Sequence, residues 1–124
     1  MRCRRLAACL GLGWALAACH PKPPSPVWPA FGGDVERGRL ILASSGCGAC
    51  HNIPGITGAR GLAAPPLTDF GRRTVIAGVL PNTPENLIRW VREPQSVIPH
   101  NAMPNTGLGD SQARDVAAYL YALE

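Results

Sequence analysis

The run Cys47-Gly48-Ala49-Cys50-His51 constrains this chain more than any other feature of its 124 residues. Two thiols stand three positions apart and an imidazole follows at once. The five cysteines are Cys3, Cys9, Cys19, Cys47 and Cys50, so the body of the chain has only the last two. Several chemistries use such a pair. A thioredoxin-like dithiol needs a strand ahead of the motif, whereas Asp34 to Ser45 has helical spacing. A structural zinc site needs four ligands, and beyond Cys47, Cys50 and His51 the body offers only His100. A plain disulfide leaves His51 without a role. C-x-x-C-H is also the attachment signature of a c-type haem. Each thiol then adds to one of two vinyl groups on one haem edge, and the next residue places an imidazole under the iron. At this chain's own Cys and His frequencies, chance produces the motif in roughly one sequence in two hundred of this length. The motif therefore predicts one covalent haem c, attached through Cys47 and Cys50 with His51 as an iron ligand.

The N-terminus reads as an export address. Arg2, Arg4 and Arg5 precede an uncharged run from Leu6 to Ala18, rich in Leu, Ala, Gly and Cys. That run is too short to cross a bilayer, which takes about 20 residues of helix. Leu16-Ala17-Ala18-Cys19 resembles the lipobox of bacterial lipoproteins, which implies cleavage before Cys19 and a lipid on it; the plainer alternative is an ordinary signal peptide cut near Ala18. His20 to Phe31, HPKPPSPVWPAF, holds five prolines in twelve residues. Proline fixes φ and lacks an N–H, so the stretch is predicted to be an extended tether of about 3.1 Å per residue. The expected organisation is residues 1–18 as signal, 19–31 as lipidated Cys and tether, and 32–124 as the folded domain. Cys3 and Cys9 leave with the signal. An exported setting favours haem or disulfide over reduced zinc thiolates.

Charge excludes one class of partner. The formal charge is +4, but Arg2, Arg4 and Arg5 account for three of the twelve cations; without them nine face eight acids. A mature charge near +1 carries no footprint for a nucleic-acid backbone. Hydrophobic residues make up 46% of the chain, enough for a packed core, while thirteen Pro and fourteen Gly favour short elements joined by turns.

Three helices are predicted in the body. Asp34 is a natural N-cap for a helix carrying Val35, Gly38, Ile41 and Leu42 on one face. Thr83 caps a second, with Pro84 at its first position, Leu87, Trp90 and Val91 inward, and Pro94 ending it. The third runs from about Asp110, started by Gly109 or Asp110, to Leu123, with a stripe of Ala113, Val116, Tyr119, Leu120 and Leu123. Thr74 to Leu80 is rich in β-formers, but Gly78 and Pro81 interrupt it and no partner run is evident. The expected fold class is all-α: three to four short helices wrapped around one haem, which supplies much of the core that 93 residues could not build alone.

The sixth iron ligand follows from elimination. The mature chain has one methionine, Met103, within Ile98-Pro99-His100-Asn101-Ala102-Met103-Pro104. A thioether is soft and neutral, favours ferrous iron and raises the reduction potential. His100 is the rival, and Lys22, the only lysine, lies in the tether.

These motifs together resemble the small soluble cytochromes c with His/Met ligation, over nearly all of residues 32–124. The resemblance implies that Gly38 and Leu42 on the first helix pack against Val116 and Tyr119 on the last, with Leu42 where an aromatic is usual. Ala64-Pro65-Pro66-Leu67 is similar to the family's G-P-x-L loop. Pro65 would then accept the axial histidine's other N–H, which fixes the tautomer, and Leu67 would pack on the haem. Trp90 stands where an aromatic lines the distal pocket. A nearer likeness is to the cytochrome c domain fused to some bacterial cytochrome oxidase subunit II chains. Cys50-His51-Asn52-Ile53-Pro54-Gly55, Gly78 to Leu87 and Pro99 to Met103 carry it. The oxidase's copper-binding domain and transmembrane helices have no counterpart in this sequence, and His100 replaces the usual glycine and Ile98 the usual lysine. By the same likeness Arg73 would meet a haem propionate; otherwise it is a solvated loop arginine.

The reading these features support is a one-electron carrier and not an enzyme. It would be a monomer, held by lipid on the exported, periplasmic side of a membrane, the outer one if the cell has two. Its partners would be a terminal oxidase or an exported dehydrogenase. The alternative, a haem enzyme or a gas or redox sensor, needs a labile distal position, against which Met103 argues.

Overall fold

The computed structural model describes residues 27–28 and 32–124. The signal segment, Cys19 and most of the proline-rich tether lie outside the described residues. Among the described residues four helices make up the fold: α1 (Val35–Ser44), α2 (Pro84–Arg92), α3 (Pro94–Val97) and α4 (Asp110–Tyr121). Two short antiparallel ladders join them, β1 (Val27–Trp28) with β2 (Gly33–Asp34), and β3 (Val75–Ile76) with β4 (Leu80–Pro81). Among the described residues no helix is long and apolar enough to cross a membrane.

Local chemistry sets the helix starts. Asp34 is extended and its carboxylate accepts the Arg37 N–H at 2.8 Å, capping α1. Thr83 does the same for α2, its hydroxyl accepting the Asn86 N–H, with Pro84 at the first position. Gly109 has no side chain to offer, so the exchange at α4 runs the other way: its N–H donates to Gln112 Oε1 at 3.0 Å. Pro94 ends α2 and also opens α3, because the first turn of a helix needs no N–H from it.

The core is the crossing of α1 and α4, closed from the side by α2. Leu42, Leu87, Val91, Ala113, Val116, Ala117, Tyr119 and Leu120 are buried in one cluster. Gly38 makes the crossing possible. A Cβ at this position would overlap the Asp115 carbonyl oxygen and touch Tyr119 Cβ at 3.0 Å, so the two backbones meet where any other residue would hold them apart. Beside that contact sits Asp115, only 6% exposed. Its carboxylate accepts the Asp34 N–H at 2.7 Å and two Arg37 guanidinium bonds at 2.8 and 2.9 Å. Burial pushes this carboxyl up, but the Arg37 and Asp34 hydrogen bonds more than offset it, and its pKa falls below the usual range.

Three expectations are corrected here. The β-rich run has a partner after all, namely itself. Val75 pairs with Pro81 and Ile76 with Leu80 around a tight turn in which Ala77 (φ 51°) and Gly78 (φ 77°) are both left-handed. Three residues, Ala77 to Val79, lie between the paired Ile76 and Leu80, with Val79 N–H closing the turn on the Ile76 carbonyl at 3.1 Å, and Pro81 sits at a ladder end where its missing N–H costs little. Val27–Trp28 is paired although prolines surround it, because neither residue is a proline and each keeps its N–H. On α2, Ile88 is buried while Trp90 is only half-buried, so Ile88 takes the inner place assigned to Trp90.

Candidate functional site

The chain leaves α1 at Ser45 and turns through Gly46, at φ 74°, into a single 3₁₀ turn, Cys47–Ala49. Cys50 N–H and His51 N–H both donate to the Cys47 carbonyl, at 3.2 and 3.0 Å. One carbonyl thus fixes the spacing of all three motif side chains. Cys47 is half-buried and Cys50 exposed, and the thiols are not joined to each other. Burial pushes the Cys47 thiol up from its ordinary pKa.

The segment after the motif folds back along it. Gly61 N–H donates to the Gly48 and His51 carbonyls, Ala64 N–H to Cys50, and Leu67 N–H to Asn52 at 2.8 Å. Gly61 lies so close to the Ala49–Cys50 backbone that a Cβ would collide with it. The result brings Pro65 over the histidine: His51 Nδ1 and the Pro65 carbonyl oxygen are 2.7 Å apart. With Nδ1 donating there, Nε2 carries the lone pair and is the ring nitrogen free to hold a metal. Tyr119 ties this loop to the core, its hydroxyl donating to the Pro54 carbonyl at 2.6 Å.

Arg73 also has partners within the protein. Its Nη2 donates to the Pro66 and Thr68 carbonyls, at 2.5 and 2.9 Å, and its guanidinium stacks 5.2 Å from the centre of the Phe70 ring. It therefore braces the same loop that presents the Pro65 carbonyl. Leu67 and, from α2, Trp90 are apolar and only partly covered where they pack against the core.

Met103 lies between α3 and α4, half-buried. Its N–H donates to Asn101 Oδ1 at 2.8 Å, and its carbonyl accepts from Gln95 Nε2 at 2.7 Å. His100 is exposed and left-handed at φ 63°. That is a glycine-favouring conformation, in keeping with the glycine that the resemblance led one to expect at this position.

These residues fit a haem. Two free thiols lie on one turn and an imidazole is held in the metal-binding tautomer. A lone thioether is pinned in a loop, and Leu67 and Trp90 present partly bare apolar surface, as contact with a flat macrocycle would use. Among the described residues no three His, Cys, Asp or Glu side chains cluster as a structural zinc site would need. A cleft of about 280 Å³ lined by Pro84, Glu85, Ile88, Arg89 and Arg114 shares no residue with this constellation.

Comparison with known proteins agrees with this constellation. The family model for cytochrome c matches residues 35–124. Cytochrome c oxidase subunit 2 of Alkalihalophilus pseudofirmus is 38% identical over 91 residues, covering 73% of this chain, and that of Bacillus subtilis 33% identical over 94. The chain spans 26% of the length of these relatives. Cytochrome c2 of Rhodobacter sphaeroides has the same fold, with a TM-score of 0.51 at 19% identity over 73% of this chain and 96% of that one. The chain belongs to the cytochrome c family, whose domain carries covalent haem c and transfers electrons rather than catalysing a reaction.

Gln95, Asn101, Asp115 and Gly61 were not singled out from the sequence. Gln95 and Asn101 had a faint signal, as polar side chains flanking the Met103 loop among prolines. Asp115 had none, since an acid on a helix is ordinarily a solvated one.

Proposed function

We propose that this cytochrome is a mono-haem electron carrier, tethered through lipid on Cys19 to the exported side of a membrane, that delivers electrons to a terminal oxidase. Cys47 and Cys50 would hold the haem as thioethers, and His51 and Met103 would ligate its iron. The haem supplies a reversible one-electron couple at its iron. The single observation that carries the reading is the 2.7 Å contact of His51 Nδ1 with the Pro65 carbonyl. It dedicates Nε2 to the metal and strengthens it as a donor. A neutral thioether from Met103 would favour the ferrous state and leave no open position for a substrate. Leu67 and Trp90 exclude water from the apolar faces, and Arg73 keeps the Pro65 loop in register. That the relatives are subunits of cytochrome oxidases supports an oxidase as acceptor; an exported dehydrogenase would fill the donor side.

Absorption spectra of the purified protein in both redox states test the ligand set. The expected result is a low-spin haem c with a weak sulfur-to-iron band at the far red of the oxidised spectrum. Met103→Ala should abolish that band and open the ferrous iron to carbon monoxide. Haem extracted by acidified organic solvent would overturn attachment, and carbon monoxide binding to the wild-type protein would overturn the carrier. Mass spectrometry of the native N-terminus should find acyl chains on Cys19; an unmodified N-terminal residue would remove the tether alone.

A further inference from the structure

We propose that Gln95 is a positioning residue that holds Met103 as the sixth iron ligand, a role that rests on the ligand assignment above. Gln95 stands at the second position of α3, outside the Met103 loop. Its carboxamide spans the whole loop. Oε1 accepts the His100 N–H at 2.9 Å, while Nε2 donates to the Asn101 carbonyl at 3.0 Å and the Met103 carbonyl at 2.7 Å. Both of its N–H groups and one lone pair are used, so the amide's orientation is determined by its partners.

Gln95 is anchored in turn. Its own N–H donates to Asn105 Oδ1 at 3.2 Å, just beyond the loop, and Pro94 beside it is buried. Asn101 completes the arrangement from within, its Nδ2 donating to the Pro94 and Ile98 carbonyls and its Oδ1 accepting the Met103 N–H. The backbone N–H and C=O of Met103 are thus both satisfied by side chains, not by a helix or ladder. Only Gln95 ties the loop to a helix through three separate points. A thioether is a neutral ligand with little hold on ferric iron, so its occupancy depends on how firmly the loop presents it. The left-handed His100 adds strain that a freed loop would release.

The test uses the haem-loaded protein and cyanide as competing ligand. Gln95→Met keeps the side-chain volume and removes all three bonds. Gln95→Glu keeps the shape but sets a carboxylate against two carbonyl oxygens. Both should bind cyanide in the ferric state at least about tenfold more tightly than wild type, given three hydrogen bonds lost from the loop. Both should also show a weaker far-red sulfur-to-iron band than wild type at pH 7. In Gln95→Glu the band should partly recover on acidification from pH 7 to pH 5, as the carboxyl regains a proton to donate, a recovery that mere loss of packing would not produce. Arg37→Ala, which weakens the remote α1–α4 contact, should lower the melting temperature yet leave cyanide affinity within about twofold. Unchanged cyanide affinity in both Gln95 variants would overturn the proposal, as would an equal gain in Arg37→Ala. A wild-type protein without the far-red band, or one whose band survives Met103→Ala, would instead overturn the ligand assignment.

Discussion

Replacing Gly38 by alanine sets two effects of opposite sign against each other. In an exposed helix the change stabilises by about 1 kcal/mol, because alanine loses less backbone freedom on folding. Here the new methyl would overlap the Asp115 carbonyl oxygen, and backbone cannot rotate away as a side chain can. The helices must part by on the order of 1 Å to restore ordinary contact. The bonds Asp115 accepts from Asp34 and Arg37 are 2.7 to 2.9 Å long; separated by that much, they pass the roughly 3.5 Å at which such bonds cease to count. Three bonds at about 1 kcal/mol each outweigh the helical gain, leaving a net loss of about 2 kcal/mol. For a domain of this size that lowers the melting temperature by about 10 °C. Thermal unfolding of the haem-loaded protein, followed by circular dichroism, measures it. A Gly38→Ala protein that melts at or above the wild-type temperature would refute the idea that this crossing is rigid.

Other outcomes follow from the same contacts. Asp115 has a depressed pKa in the folded state, so its contribution is complete above the unfolded value of about 3.9 and is lost as pH falls through the folded one; unfolding titrations should show Asp115→Asn less stable at pH 7 but less steeply weakened below about pH 4. Arg73→Ala removes two bonds from the Pro66–Thr68 backbone and should raise the reduction potential, because a loosened Pro65 carbonyl leaves His51 a weaker donor to ferric iron. We expect a measurable shift in voltammetry with the far-red band retained, and no shift would mean the brace does not reach His51. His100→Gly relieves a left-handed residue while keeping its N–H bond to Gln95, and should raise stability by about 0.5 kcal/mol; denaturant midpoints check it, and a fall would show that the imidazole itself contributes.

What the sequence determined by itself was whatever depends on short range. The haem motif occupies five consecutive residues, and the caps Asp34 and Thr83 act within three positions. The stripe on α4 repeats at the helical period, so Ala113, Val116, Tyr119 and Leu120 were legible as core. The pairing of Pro65 with His51 was legible only by resemblance, because the turn that brings them together depends on Gly61 having no side chain. The tertiary structure alone decided the rest. Asp115 is a buried acid because Gly38 lets α1 approach it and Arg37 reaches it from 78 positions away. Arg73 is a brace because the loop passes within reach of its guanidinium. Gln95 meets the Met103 loop because Pro94 starts a second helix immediately after the first. In each case the chemical role of a polar side chain is set by which carbonyls and N–H groups lie within about 3 Å of it, and distances that short between remote residues are written in the packing of the helices, not in local spacing.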